Sequence, residues 1–173
     1  MSIHIIIDGY NLIRQSTALS NLDQQDIMLG RDALIDMLAA YRKMKPHRIT
    51  VVFDGRQSPV FSPQRNRQRG ISIWFSRSGE SADEVIKRMA NRDREKALVV
   101  SSDREVAAAA ASCGAATISA QAFEAKLEMA AHLDSPINEA EDYAGWTPTT
   151  KKKGPARRLP KKKRRNRMKI KKL

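Results

Sequence analysis

The 173-residue sequence predicts an α/β fold in which strands and helices alternate around a parallel sheet. Three observations carry that prediction. Short β-branched runs without strict polar alternation, Ile3 to Ile7 and Ile49 to Phe53, read as strands covered on both faces. Segments with helical periodicity or helix-start patterns separate such runs, which is the order of βαβ units. Aspartates stand where the runs end: Asp8, Asp54 and Asp103, with Asp83 opening a helix after Ile71 to Phe75.

The first strand closes at Asp8-Gly9, a turn pair. Apolar residues at Ile27, Leu34, Leu38 and Tyr41 then share one helical face over about residues 25 to 43, and Pro46 stops that helix. The second strand closes at Asp54-Gly55. Residues 56 to 70 carry Arg56, Arg65, Arg67 and Arg69 with Pro59, Pro63 and Gly70 and show no apolar period, so one long basic loop is expected. After the third strand, Ser81 and Glu84 match a capping box. Ala97 to Ser101 is the fourth strand, and Ser102 with Glu105 repeats the pattern before an alanine-rich helix. Ala115 to Ser119 and Gln121 to His132 read as a fifth strand and a last helix with Phe123, Leu127 and Ala130 inward.

Charge divides the chain. The net +13 comes from residues 151 to 173, which hold 14 basic side chains and no acid, whereas residues 1 to 150 hold 18 basic and 19 acidic ones. We therefore expect a folded domain over 1–134, a linker over 135–150 and a Lys/Arg-rich disordered tail over 151–173. The single cysteine, Cys113, suits a reducing compartment and reads as a packed residue at a helix end. No apolar stretch has the length of a membrane span and no signal-peptide pattern opens the chain, so a cytoplasmic protein with no membrane partner is expected.

In a parallel α/β sheet the carboxyl ends of the strands form one rim, where such folds place ligands. Each aspartate also has a local explanation, Asp8 and Asp54 as turn residues, Asp83 and Asp103 as partners of a helix dipole. Together they share one rim, while the opposite strand ends near His4, His47 and Lys96 show no acidic grouping. Carboxylates in such a group suit Mg²⁺ or Mn²⁺, and ions held there activate water for phosphodiester attack. The histidines His4, His47 and His132 are scattered and suggest neither a general-base dyad nor a zinc set. No nucleophile elbow, Walker A motif or dinucleotide fingerprint occurs.

The segments Ile7-Asp8-Gly9-Tyr10-Asn11-Leu12-Ile13, Val51-Val52-Phe53-Asp54-Gly55, Gly79-Glu80-Ser81-Ala82-Asp83-Glu84 and Val99-Val100-Ser101-Ser102-Asp103 resemble, in order and spacing, the NYN-domain nucleases of the YacP type in the PIN-like superfamily. The resemblance covers about residues 3 to 130. It implies a three-layer α/β/α fold with strand order near 3-2-1-4-5 and metal-dependent endoribonuclease activity. It further implies catalytic roles for Asp8, Asp83 and Asp103, metal binding by these three and Asp54, and support from Asn11. Ser102 and Glu84 stand beside the acids as supporting residues, with helix capping as their local explanation. The basic extension is a departure that the resemblance leaves unexplained.

RNA is the expected partner, with the ribosome as one form of it. Arg14, Arg56, Arg65, Arg67, Arg69 and Arg104 are the candidate phosphate contacts near the rim, with the 56–70 loop hanging over it. Tyr10 is a candidate base-stacking residue or a packed one. Lys161, Lys162, Lys163, Arg164 and Arg165 belong to the tail, which reads as an RNA or ribosome anchor, a solubilising extension or a nuclear import signal. Two other functions stand beside the nuclease: a non-catalytic RNA-binding or ribosome-associated module, and a PIN-type toxin held by a partner. The chemistry alone does not separate RNA from DNA.

Overall fold

The computed structural model describes residues 3–57, 65–134 and 160–173. The expected linker, Lys151 to Lys153, Arg157, Arg158 and the prolines at 59 and 63 lie outside the described residues.

β1 (His4–Asp8) leads into α1 (Gly9–Gln15), α2 (Thr17–Gln25) and α3 (Ile27–Met44), followed by β2 (Arg48–Phe53). β3 (Arg65–Gln68), β4 (Ile71–Phe75), α4 (Ala82–Asp93), β5 (Ala97–Val100), α5 (Arg104–Ser112), β6 (Ala116–Ile118), α6 (Ala120–Asp134) and α7 (Lys161–Lys172) complete the chain. The sheet order is β3-β4-β2-β1-β5-β6. Without β3 this is the expected 3-2-1-4-5 order, and all of those pairings are parallel.

Parallel strands bury both faces, and alternation along each strand sorts the apolar side chains into two layers. Ile5, Ile7, Val51, Phe53, Leu98 and Val100 pack on the face that includes Leu34, Leu38, Phe123 and Leu127 from α3 and α6. Ile6, Val52 and Val99 pack against Val85, Ile86 and Met89 of α4 and Val106 of α5. The capping box of α4 is present in both directions, between Ser81 and Glu84.

Four expectations change. Asp8-Gly9 is not a free turn, because Asp8 caps α1 directly by accepting the Asn11 N–H. Two helices, α1 and α2, precede α3; Ser16 and Asp26 cap α2 and α3 in a stretch without apolar period. The basic loop contains an edge strand, β3, paired antiparallel to β4 from Arg65 opposite Trp74 to Gln68 opposite Ile71. Finally, the last part of the expected disordered tail is a helix. Ile170 and Leu173 of this otherwise charged segment reach the apolar layer, and the Tyr41 hydroxyl donates to the Leu173 carbonyl at 2.9 Å. Asn166 accepts the outward N–H of Thr117 at 3.1 Å, so α7 also covers the β6 edge.

Candidate active site

Asp8, Asp54 and Asp103 follow or end parallel strands, and Asp83 sits in the first turn of α4, so one rim of the sheet receives all four. Asp8 is 8% exposed. Its Oδ1 accepts the Asn11 N–H at 3.2 Å and its Oδ2 accepts the Ser101 hydroxyl at 3.3 Å. The same Ser101 oxygen accepts the Asp103 N–H at 3.1 Å, and the Asn11 side-chain oxygen accepts the Ser102 N–H at 2.8 Å. These four bonds stitch the start of α1 to the β5–α5 turn and hold Asp8 beside Asp103.

The charges of the acids reach one another. Burial pushes Asp8 up to about 6, and the Asp83 and Asp103 carboxylates add to the rise, against the Asn11 and Ser101 hydrogen bonds. Asp83 is raised too, by burial first and then by Asp103, with Glu105 and Asp54 adding and Lys87 opposing. Asp54 is the outlying member, its Oδ1 accepting the Arg56 N–H at 2.9 Å. Its turn is pinned elsewhere: Gly55 donates to the Ser76 hydroxyl at 2.9 Å, and a Cβ on Gly55 would stand 2.1 Å from the Ser76 carbonyl oxygen.

Oxygen donors with this mutual repulsion suit a hard divalent cation by type and by charge. They do not stand as a closed ligand shell: among the described residues no three His, Cys, Asp or Glu side chains are near enough together to hold an ion.

The supporting residues divide. Asn11 joins the site as expected. Ser102 is not the cap of α5; Asp103 is, accepting the Glu105 and Val106 N–H groups at 2.7 and 3.3 Å. The Ser102 hydroxyl instead accepts the Ala120 N–H and donates to Gln121. Glu84 is turned back on the Ser81 N–H at 2.8 Å. Three residues that matter here escape sequence reading. Ser101 is the bridge between Asp8 and Asp103. Lys87, one helical turn after Asp83, ion-pairs with Glu105 and lies within reach of the Asp83 and Asp103 charges; its i+4 spacing from Asp83 is the available signal. Arg31 is 6% exposed under the rim, its Nε donating to the Tyr10 hydroxyl at 2.9 Å and its guanidinium lying over the Tyr10, Phe53 and Phe75 rings. A cation on the apolar stripe of α3, between Ile27 and Leu34, is the sign that points to it.

Tyr10 is accordingly a packed residue, edge-on to Phe53, rather than a stacking platform. Among the candidate phosphate contacts, Arg14, Arg56 and Arg104 are exposed at the rim end of the fold. The 56–70 segment does not all hang over the rim, because antiparallel β3 runs away from it. Arg65 starts at the rim end beside Trp74, Arg67 pairs with Ser72 further down, and Arg69 at the far end is bridged to Asp36 of α3 at 2.8 Å. Lys161, Lys162, Lys163, Arg164 and Arg165 lie on α7, where Arg165 pairs with Glu95, which precedes β5 and so lies at the opposite strand ends. No helix among the described residues is long and apolar enough to cross a membrane.

The YacP-like NYN domain model matches residues 5–172, and the chain belongs to that family. The family is related to the PIN-like nucleases, and membership supports a nuclease or RNA-related role. Among relatives, the chain is 30% identical over 86 residues to the uncharacterised protein YacP of Bacillus subtilis (strain 168), a span of 50% of each chain. It resembles the crystal structure of Rae1 (YacP) from Bacillus subtilis with a TM-score of 0.65, 28% identity and 77% of each chain covered. A tryptophan-to-leucine mutant of that protein gives a TM-score of 0.63 at 26% identity, over 76% of this chain and 78% of the other. The match to residue 172 takes in α7, so the basic segment is part of the family region and not an addition to it.

Proposed function

We propose that the chain is a metal-dependent endoribonuclease of the cytoplasm, acting through Asp8, Asp83 and Asp103 with Asp54 at the margin. The observation that carries this reading is the placement of four aspartates at one rim of the parallel sheet, with Asp8 buried there and held by Asn11 and Ser101. Asp8, Asp83 and Asp103 would hold Mg²⁺ or Mn²⁺, which would supply an activated water and a charge for the departing oxygen, so that hydrolysis would leave 5′-phosphate and 3′-hydroxyl ends. Asp8 is held by Asn11 and Ser101 with its carboxylate within electrostatic reach of Asp83 and Asp103, so its orientation is set before any ligand arrives. Asp103 is fixed from its backbone by Ser101 and from its carboxylate by the first turn of α5. Arg14, Arg56 and Arg104 flank the acids and offset their repulsion of a polyanion.

The basic α7, nine of whose twelve residues are Lys or Arg, serves in this proposal as an anchor on structured RNA or the ribosome. Its Lys163, Arg164 and Arg167 face solvent while Ile170 and Leu173 hold it to the domain.

Purified protein should cleave RNA with Mg²⁺ or Mn²⁺ and stop with EDTA, and Asp8→Asn should abolish cutting. Cleavage by that variant at the wild-type rate removes Asp8 from the chemistry. The open arrangement of the acids favours one competing reading, a non-catalytic RNA-binding module. RNA binding without cleavage, indifferent to EDTA, would decide for it.

A further inference from the structure

α4 carries a second surface that the acids do not use. Asp83 and Arg88 are five positions apart, about 140° around the helix axis. On the Arg88 side lies a cleft of about 470 Å³ lined by Arg65, Arg77, Ser78, Gly79, Glu80 and Arg88. A narrower adjoining pocket reaches Trp74 and Phe75 of β4 and Val85 of α4. Three guanidinium groups face one carboxylate there, so the lining has a surplus of two positive charges. Glu80 is ion-paired with Arg88, which holds its carboxyl below the usual range.

Arg65 is the most prepared of the three. Its guanidinium carbon sits 3.9 Å from the centroid of the Trp74 ring, opposite which β3 places it in register. A guanidinium stacked on indole keeps its donors around its own edge and has already lost much of its rotational freedom, so it binds a phosphate with less further ordering. Gly79, at φ +84°, has open space where a Cβ would stand, so the turn leaves the mouth of the cleft unobstructed.

The cleft is joined to the acids by the chain itself. The Arg77–Glu80 turn begins after Ser76, which is pinned to Gly55 beside Asp54, and ends three residues before Asp83.

We propose that the Arg65, Arg77 and Arg88 cleft, with Trp74 beneath Arg65, binds a backbone phosphate of single-stranded RNA next to the segment held at the acid rim. The inference rests on the endoribonuclease reading for the identity of its ligand, but binding is measured separately from cleavage. A fluorescein-labelled single-stranded oligoribonucleotide is titrated with the full chain in EDTA at several salt concentrations, and affinity is read by anisotropy. The double variant Arg65→Ala, Arg77→Ala should bind about fivefold more weakly at 0.1 M salt, and its salt slope should shrink by about 0.7, the value of one phosphate on a single strand.

Arg65→Lys keeps the charge and loses the flat stack. It should retain the wild-type salt slope and bind with intermediate strength. Melting curves verify that each variant is folded. Unchanged affinity and slope in the double variant, with the wild type binding normally, overturn the cleft and leave the nuclease reading in place. Full binding by Arg65→Lys overturns the role of the Trp74 stack. Absence of RNA binding by the wild type overturns the RNA reading and the cleft with it.

Discussion

Asp8 shows how a single residue can be kept at the expense of stability. Its ordinary pKa of 3.8 is raised to about 6 in the folded chain, so the native state holds its proton to higher pH than the unfolded state does. The favourable contribution is whole below about pH 3.8 and is lost as the pH climbs through 6. Above that, ionisation in place destabilises the fold by about 2–3 kcal/mol, at 1.36 kcal/mol per unit. Asp8→Asn should therefore unfold at higher urea than the wild type at pH 8 without metal, and at the same urea at pH 3.5. A wild type that is the more stable at pH 8 would contradict this. His4, buried against Thr50 and Asp93 with its pKa lowered by burial, works in the opposite sense, adding stability above pH 6.5 that fades on acidification. It acts on both proteins alike, so their difference isolates Asp8.

At the scale of elements, α5 and α7 join structure to charge in different ways. Asp103 is both the cap of α5 and a rim acid, and its two duties are separable. Asn caps as well as Asp, so Asp103→Asn should melt no lower than the wild type, its lost repulsion with Asp8 and Asp83 adding to an intact cap, and should lose cleavage, whereas Asp103→Ala should lose cleavage and be about 1 kcal/mol less stable than the Asn variant. Equal activity in the Asn variant would leave Asp103 a capping residue only. α7 is held by few apolar contacts, and Ile170 is one of them. Ile170→Asp should lower unfolding stability by about 1–3 kcal/mol through the lost burial and the charge placed against the core. No change in the denaturation midpoint would mean that the docked helix contributes nothing to the domain.

Over the whole molecule, the parallel direction of the strands carries Asp8, Asp54, Asp83 and Asp103 to one end of the sheet, where Asp8 and Asp83 feel one another and Asp103 as like charges. A bound cation would relieve that repulsion. Mn²⁺ at ten times its dissociation constant should add about 1.4 kcal/mol of stability to the wild type, read as a rise in melting temperature that EDTA reverses. The rise should be smaller in Asp8→Asn; an equal rise in both proteins would place the ion elsewhere.

What the amino-acid order determined by itself is whatever neighbouring residues decide. Apolar runs marked the parallel strands, the 27–41 spacing marked α3, Ser81 and Glu84 marked the start of α4, and the acids could be assigned to one rim because parallel strands all end on the same side. Those signals act within a few residues, and so they survive being read without a fold. Tertiary structure decided the rest. β3, whose sequence Arg-Asn-Arg-Gln has no apolar residue, is a strand because the open backbone edge of β4 supplies its hydrogen bonds. α7 is anchored because Ile170 and Leu173, three residues apart in a basic helix, find the layer around Tyr41 from more than 120 positions away. Ser101, and not Ser102, joins Asp8 to Asp103 because the β1–β5 register, with Ile7 opposite Val100, sets Ser101 beside Asp8. The raised pKa of Asp8 belongs to this group as well, since burial and the approach of distant like charges exist only once the chain has folded.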